Sequence, residues 1–435
     1  MISLDTVAVL QSILLLLGCA LLAMLSVLGL AWMGRHRTHL MHVPITVWRD
    51  AIFLRIVVFV ALFVGDLLIV NPGAPAWMAS DSGGSIQAFI SHLSNWDGRW
   101  YIGIAEMGYN ELTREDIEDR QGQWRAAPLE VSSRWAASAP EQWKYYGPYH
   151  FLPLFPMLLR MFLQLPLSSP MVGVIVSNLL FILCIAGLYR LAERHGERVA
   201  ADAVRLYCLM PGSIFTFGAF SEPLFVALAA WTLVFAERNK RSLSWLGATL
   251  VATTRISGIL VSTSLMVKEL VVPRADKLAV RFGRALVQGL PGLVGLGLVA
   301  IYFKMTSGEP FPFVKAQVLG GYGLSLPWEV ARQDLHTPFG GVILLPLWVA
   351  LLLLVVRGIS CLPIEETAMV LPIFVLHSVH KHSSLLRFTL ELFPVLIVLS
   401  VWITRSERTR LFTYSCLACS TGLLGALFVN GIWVG

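Results

Sequence analysis

The segment Asn95-Trp96-Asp97-Gly98-Arg99-Trp100-Tyr101, continuing through Glu106 to Gly108-Tyr109, gathers a carboxylate, a cation and several aromatic rings. Asp97 has two compatible readings. It suits the N-cap of a short helix that Gly108 would stop. A carboxylate at such a helix start, facing water beside a bilayer, could also take a proton from a sugar hydroxyl. Trp96 offers a stacking face for a sugar ring. Glu106 lies nine residues on, so at 100° and 1.5 Å per residue it faces the other side and sits about 13 Å further along. Asp97 and Glu106 therefore do not form a close glycosidase-type carboxylate pair. Glu106 is instead placed on the face of Arg99, as a salt-bridge partner.

Other ionisable residues interrupt apolar stretches, where an ionised group costs a few kcal/mol and calls for a partner or a task. Glu222 opens one block beside Pro223, where a capping role is also open. Arg255 stands mid-segment with no neighbouring acid. Arg387 and Glu391 are four apart on one helix and could pair with each other. Each arginine could otherwise grip a phosphate through its planar fork. The run His377, His380, Lys381, His382 raises a metal site, but the lysine among the histidines argues against one, and there is no His-Glu-x-x-His. Cys416 and Cys419 form a Cys-x-x-Cys inside an apolar block, which a buried helix face explains better than redox or zinc chemistry. No phosphate-binding glycine loop and no dinucleotide fingerprint is present.

The elements that must position these groups are membrane helices. The chain of 435 residues is 56% hydrophobic and only 14% charged, against about 25% charge in soluble domains. The apolar residues fall in blocks near the roughly 20 residues that cross a bilayer: 7–33, 50–70, 171–191, 199–218, 222–236, 285–303, 337–356, 364–379, 388–404 and 410–434. Runs such as Leu351-Leu352-Leu353-Leu354 do not alternate as barrel strands would. The expectation is an all-α polytopic membrane protein forming one integral membrane domain over 1–435, with roughly 10–13 transmembrane or re-entrant helices.

The excess of cations, formally +6, sits in short loops between blocks, which is the positive-inside pattern rather than a nucleic-acid surface. One threading places loops 34–49, 190–198, 238–241, 268–284, 357 and 405–410 inside. It puts the long loop 71–150, the Ser221-Glu222-Pro223 turn, loop 304–336 and loop 380–386 outside. It requires 151–165 to stay at the outer interface or dip and return, and 243–267 to be a broken hairpin bent near Arg255-Ile256-Ser257-Gly258. Loop 71–150 is too long for a simple connection and suits short interfacial helices with aromatic anchors.

Several motifs add to Trp96-Asp97-Gly98 through Gly108-Tyr109: Leu152-Pro153-Leu154-Phe155-Pro156, Pro211-Gly212, Ser221-Glu222-Pro223-Leu224-Phe225 and Thr254-Arg255-Ile256-Ser257-Gly258. Further along come Ser307-Gly308-Glu309-Pro310 with Phe313 to Gln317, then Arg387-Phe388 to Phe393-Pro394. In order and spacing this set resembles the GPI mannosyltransferase II (PIG-V type) family, especially its bacterial branch, within the GT-C class of membrane glycosyltransferases. The resemblance implies a GT-C-like fold and a polyprenyl-phosphate-linked sugar donor, with mannose as the sugar. It also implies a catalytic aspartate in the first large outer loop, which falls on Asp97, and an inverting single step. The residues set against substrate are then Trp96, Arg99, Glu106, Tyr109, Glu222, Arg255, Lys315 and Arg387, the last arginine, Arg255 and Lys315 being phosphate contacts. No metal ligand is assigned, no cofactor is certain, and a divalent cation is left open. The acceptor would be a glycolipid, glycan or protein, and the setting a bacterial plasma membrane with the site on its periplasmic or extracellular side. The alternative from another class is a transporter or flippase of a lipid-linked substrate, which buried arginines and broken segments would also suit.

Overall fold

The computed structural model describes residues 43–68, 86–109, 147–272, 277–319, 325–336, 339–379 and 384–434. The apolar block 7–33, the insert 111–144, His380, Lys381 and His382 lie outside them. The described helices are α1 (Ile45–Leu68), α2 (Ile86–His92), α3 (Asp97–Met107), α4 (Leu154–Phe162), α5 (Ser169–Ala192), α6 (Glu197–Leu209), α7 (Glu222–Glu237), α8 (Arg241–Ala252) and α9 (Ile259–Val271). They continue with α10 (Leu278–Ser307), α11 (Pro312–Leu319), α12 (Pro327–Leu335), α13 (Leu345–Gly358), α14 (Ile364–Ser378), α15 (Leu385–Phe388), α16 (Pro394–Ile403) and α17 (Glu407–Val429). No strand occurs among the described residues.

The helices Ile45–Leu68, Ser169–His195, Leu278–Ser307, Gly340–Gly358 and Glu407–Val429 are long and apolar enough to cross a membrane. On α1, Ile52, Phe53, Ile56, Val60 and Val64 are exposed, while Ala51, Val58, Leu62 and Gly65 face inward. An apolar face turned outward on a long helix is a lipid face, because nothing in the hydrocarbon penalises it. Cys416 and Cys419, expected on a buried face, are exposed on α17 for the same reason. The chain is an all-α polytopic membrane protein. At its centre stands α7, buried at every residue from Glu222 to Phe235.

Arg55 in α1 shows how a charge is tolerated there. Its guanidinium lies 3.9 Å from the Phe181 ring centroid and 3.4 Å from that of Phe217. It donates to Asn178 Oδ1 at 3.0 Å and to Thr216 O at 2.7 Å. Aromatic faces and carbonyl oxygens replace the lost water, and α1 is thereby tied to α5 and to the turn Pro211–Thr216.

The expected hairpin over 243–267 is present. Trp245 Nε1 donates to Gln288 Oε1 at 3.0 Å, and Gly295 rests against Thr249 and Ala252, so α8 runs with α10. Ser262 Oγ donates to Gln288 O at 2.7 Å, and Arg281 reaches the carbonyls of Glu269 and Leu270, so α9 runs against it. Between them Thr253 and Thr254 turn their hydroxyls onto the carbonyls of Leu250 and Val251, and Arg255 leaves the helix in an extended conformation. Helix α4, the core of 151–165, has nine residues, about 13 Å at 1.5 Å per residue, too short to cross.

The basic loops gather at one end of the bundle. Arg194 bridges Glu237 and Glu366, and Lys268 Nζ meets Glu365 at 2.5 Å. Through the short link 193–197 this joins a second group, in which Arg205 meets Asp50 and Asp202, each at 2.6 Å. Helices α7, α9 and α14 run from this end to the other, where Glu222, the Arg255 break and His377 lie.

Two glycines fix the packing around that far end. A Cβ on Gly218 would strike the Leu93 carbonyl, and one on Gly212 the Leu386 carbonyl. The backbone leading into Asp97 and the one carrying Arg387 thus both lie directly on the 211–218 segment. Gly218→Ala is expected to cost about 1–3 kcal/mol by overpacking, read as a lowered thermal midpoint of the detergent-solubilised protein.

Candidate active site

Helix α3 starts at Asp97 with Trp96 as its preceding residue and no side-chain cap. Asp97 therefore stands in the first turn, where the helix dipole favours a carboxylate, and does not itself serve as the cap. Trp96 has φ 61°, a left-handed conformation that costs a non-glycine residue about 1–3 kcal/mol and persists only where packing enforces it. The enforcement comes from the C-terminal end of the chain. Trp433 meets the Trp96 ring edge-on at 5.3 Å, and Ser94 Oγ accepts from Ala219 N at 3.1 Å. The kink turns Asp97 towards Arg387.

Three carboxylates and two guanidiniums then form one chain of ion pairs. Arg387 Nη1 contacts Asp97 Oδ2, and Arg387 Nε donates to Glu222 Oε1 at 2.5 Å. The same Glu222 oxygen accepts from Arg255 Nη1 at 2.6 Å. Arg255 Nε stands 2.7 Å from Glu391 Oε1, while Glu391 Oε2 accepts from Ser257 Oγ at 2.5 Å and lies 3.4 Å from His377 Nε2. Ser221 Oγ joins the cluster, 3.1 Å from Arg255 Nη1 and 2.6 Å from the Tyr101 hydroxyl. The side chains of Glu222 and Glu391 are 0% exposed, those of Arg387 and Arg255 are 5% and 13%, and that of Asp97 is 31%. A buried carboxylate is tolerated only with such partners.

This network borders a cavity of about 330 Å³ whose lining includes Asp97, Trp100, Arg255, His377, Arg387 and Phe388. Its aromatic side is built by pairs: Trp100 stacks on Phe151 at 6.1 Å, and the His377 ring lies flat on Phe388 at 3.8 Å. The volume is near the lower end of the range of ligand pockets, with fixed charges on one wall and rings on the other.

Of the residues chosen from sequence, the structure brings Asp97, Arg255 and Arg387 together at the cavity, with Glu222 bridging both arginines from beneath. It does not bring the others there. Trp96 packs against Trp433, and the ring on the cavity is Trp100, one turn along α3 from Asp97. Arg99, two residues and 200° from Asp97, is buried and donates to Asn95 Oδ1 at 2.7 Å. Glu106 accepts from Ser169 on α5, as its opposite facing requires. Tyr109 donates to Phe151 O at 2.7 Å and stacks on Tyr149 at 5.2 Å, so it supports the wall without lining it.

Lys315 pairs with Glu309 at 2.5 Å and its side chain is 55% exposed, while Gln317, on another face of α11, lines the cavity. Lys315→Ala is accordingly expected to change transfer kinetics by less than about twofold, as removal of an exposed ion pair does, measured as kcat and KM on the purified protein.

Arg387 and Glu391, read as a pair, instead take partners from other helices: α15 ends at Phe388, and the turn after it separates them. His377, weighed in a metal cluster that the sequence argued against, stands 3.4 Å from Glu391 Oε2 at the end of the ion-pair chain. Among the described residues no three His, Cys, Asp or Glu side chains gather as metal ligands. Trp100, Gln317, Phe388 and Ser257 were not singled out; Trp100 was legible as the i+3 neighbour of Asp97.

The described residues thus form an all-α membrane bundle with a charged, ring-lined chamber at the end opposite its basic loops. Residues 136–288 match the model of the mannosyltransferase (PIG-V) family, which bears out the PIG-V likeness read from the motifs and supports a glycosyltransferase. The matched stretch holds Glu222 and Arg255 and leaves Asp97 and Arg387 on either side of it. No curated protein matches the chain.

Proposed function

We propose that the protein transfers a hexose, mannose on the family likeness, from a polyprenyl-phosphate carrier to an acceptor hydroxyl, and that Asp97 is the base. The acceptor oxygen attacks C1 of the sugar and its proton passes to Asp97. The C1–O bond to the phosphate breaks, its electron pair stays on the phosphate oxygen, and polyprenyl phosphate leaves. Attack from the face opposite the leaving group inverts C1. Arg387 and Arg255 hold the phosphate and stabilise the charge that grows on it. Trp100 supplies the sugar-stacking face. The observation that carries this reading is that Asp97 is the one carboxylate of the ion-pair chain with appreciable solvent access, set beside two guanidiniums in a chamber of headgroup size.

The basic loops mark the cytoplasmic side by the positive-inside rule, so the chamber at the far end opens outward, on the periplasmic side of a bacterial plasma membrane. A prenyl carrier keeps its chain in the lipid and offers its headgroup at that depth. The acceptor is a glycolipid, glycan or protein hydroxyl presented from the same side. The test is an in vitro transfer assay with the detergent-purified protein, a panel of radiolabelled prenyl-phosphate sugars and a panel of hydroxyl acceptors. Label is expected to move from prenyl-phosphate mannose to acceptor with release of prenyl phosphate. Translocation of intact carrier in liposomes without any transfer would favour a flippase and remove the enzyme.

A further inference from the structure

We infer that Asp97 and the donor phosphate compete for the same guanidinium, Arg387, so that donor binding is what releases the base. The inference rests on the transferase reading of this chamber and adds the order of events within it.

The reasoning starts from charge. Without a donor the chain of ion pairs holds three carboxylates against two guanidiniums, and every guanidinium is already engaged: Arg255 by Glu222 and Glu391, Arg387 by Glu222 and Asp97. Among the described residues, an anionic phosphate that entered beside this set would meet more carboxylate than guanidinium charge, with Nε and Nη1 of each arginine already engaged. Binding at the Nη1 edge of Arg387 therefore requires one carboxylate to give way. Glu222 is fully buried and its Oε1 is held by both arginines. Glu391 is fully buried and held by Arg255, Ser257 and His377. Asp97 is 31% exposed and touches the chain through its terminal link to Arg387. It is the carboxylate that can move into water at the smallest cost, because a part-exposed ion pair is weak where a buried one is not.

The exchange has a chemical consequence. While Asp97 Oδ2 accepts from Arg387 Nη1, that oxygen is not available to an acceptor hydroxyl. When the phosphate takes Arg387 Nη1, Asp97 loses that partner while remaining at the mouth of the chamber, next to the position of C1. The base becomes competent only when a donor is in place, which orders the reaction as donor first and acceptor second. The phosphate in turn gains a planar two-edged contact suited to its oxygens. No atom is transferred in this step; one anion replaces another on the guanidinium.

The prediction separates binding from catalysis. A water-soluble short-chain polyprenyl phosphate is titrated calorimetrically into the full-length protein in detergent, as wild type, Asp97→Asn, Asp97→Ser and Arg387→Gln, each checked by its thermal midpoint. Removing the competing carboxylate is expected to tighten prenyl-phosphate binding about tenfold in both Asp97 variants, although neither transfers sugar. Arg387→Gln is expected to lose measurable binding. Asp97 variants that bind no tighter than wild type, in a protein that does transfer sugar, would overturn the exchange and leave the base role standing. If wild type neither transfers sugar nor binds prenyl phosphate, the transferase reading itself falls, and the exchange with it.

Discussion

Asp97→Asn is expected to lower sugar transfer by about 10²–10⁴-fold, the range that a positioned acid–base group supplies, while the protein keeps its fold. The amide is the same size as the carboxylate and can still accept from Arg387, but it cannot take a proton. Since Asp97 is part-exposed at the end of the ion-pair chain, its neutralisation leaves no buried charge stranded: Arg387 retains Glu222 and Arg255 retains Glu222 and Glu391. The measurement is single-turnover transfer from prenyl-phosphate mannose beside a thermal unfolding curve. Wild-type turnover by the folded variant removes the base role. A large drop in thermal midpoint makes Asp97 a structural residue instead.

Arg255→Met has the opposite signature. Its guanidinium faces two fully buried carboxylates, Glu222 and Glu391, and removing it leaves Glu391, among the described residues, with Ser257 and His377 as partners. Breaking a buried pair from one side costs about 3–5 kcal/mol, because the surviving charge keeps its desolvation penalty without its counter-ion. The expected result is a marked fall in thermal midpoint together with loss of transfer. Adding Glu391→Gln to Arg255→Met is expected to restore part of the stability and none of the activity, since the two residues share one interaction and their effects are not additive. Equal stability of Arg255→Met and wild type would mean that Glu391 is held by its other contacts alone.

The two variants together test the division of labour in the chamber. The buried part of the ion-pair chain, Glu222, Arg255 and Glu391, ties α7, the α8–α9 break and the segment after α15 into one unit. The part-exposed end, Asp97, held by the buried Arg387, is where substrate chemistry is proposed. Buried residues of this kind act on activity through position, so their loss should move stability and turnover together, whereas loss at the part-exposed end should move turnover alone.

Much of this was determined by the sequence itself. Blocks of apolar residues of bilayer length, short basic loops and a deficit of charge impose a helical membrane bundle, because the lipid leaves backbone groups no other partners. The pair of threonines, an arginine and a glycine at 253–258 impose the break in 243–267. A carboxylate heading a short amphipathic helix marks Asp97, and ionisable residues inside apolar segments mark Arg255 and Arg387, since such charges are rare without a reason. What the tertiary structure alone decided is which of these residues meet.

The spacing of Arg387 and Glu391 suits an intrahelical pair, yet α15 ends between them and each finds a partner from elsewhere, because a buried charge is satisfied by whatever the fold brings within reach. Trp96 and Trp100 are equally plausible stacking rings by type. The kink at Trp96, which packs on Trp433 more than three hundred residues away in sequence, leaves that ring against Trp433 and the Trp100 ring on the cavity. Lys315 and Gln317 share a short helix, and its rotation chooses the uncharged one. Helical periodicity fixes which residues share a face, but the direction that face takes is set by packing between segments distant in sequence, and that information resides in no single stretch of the chain.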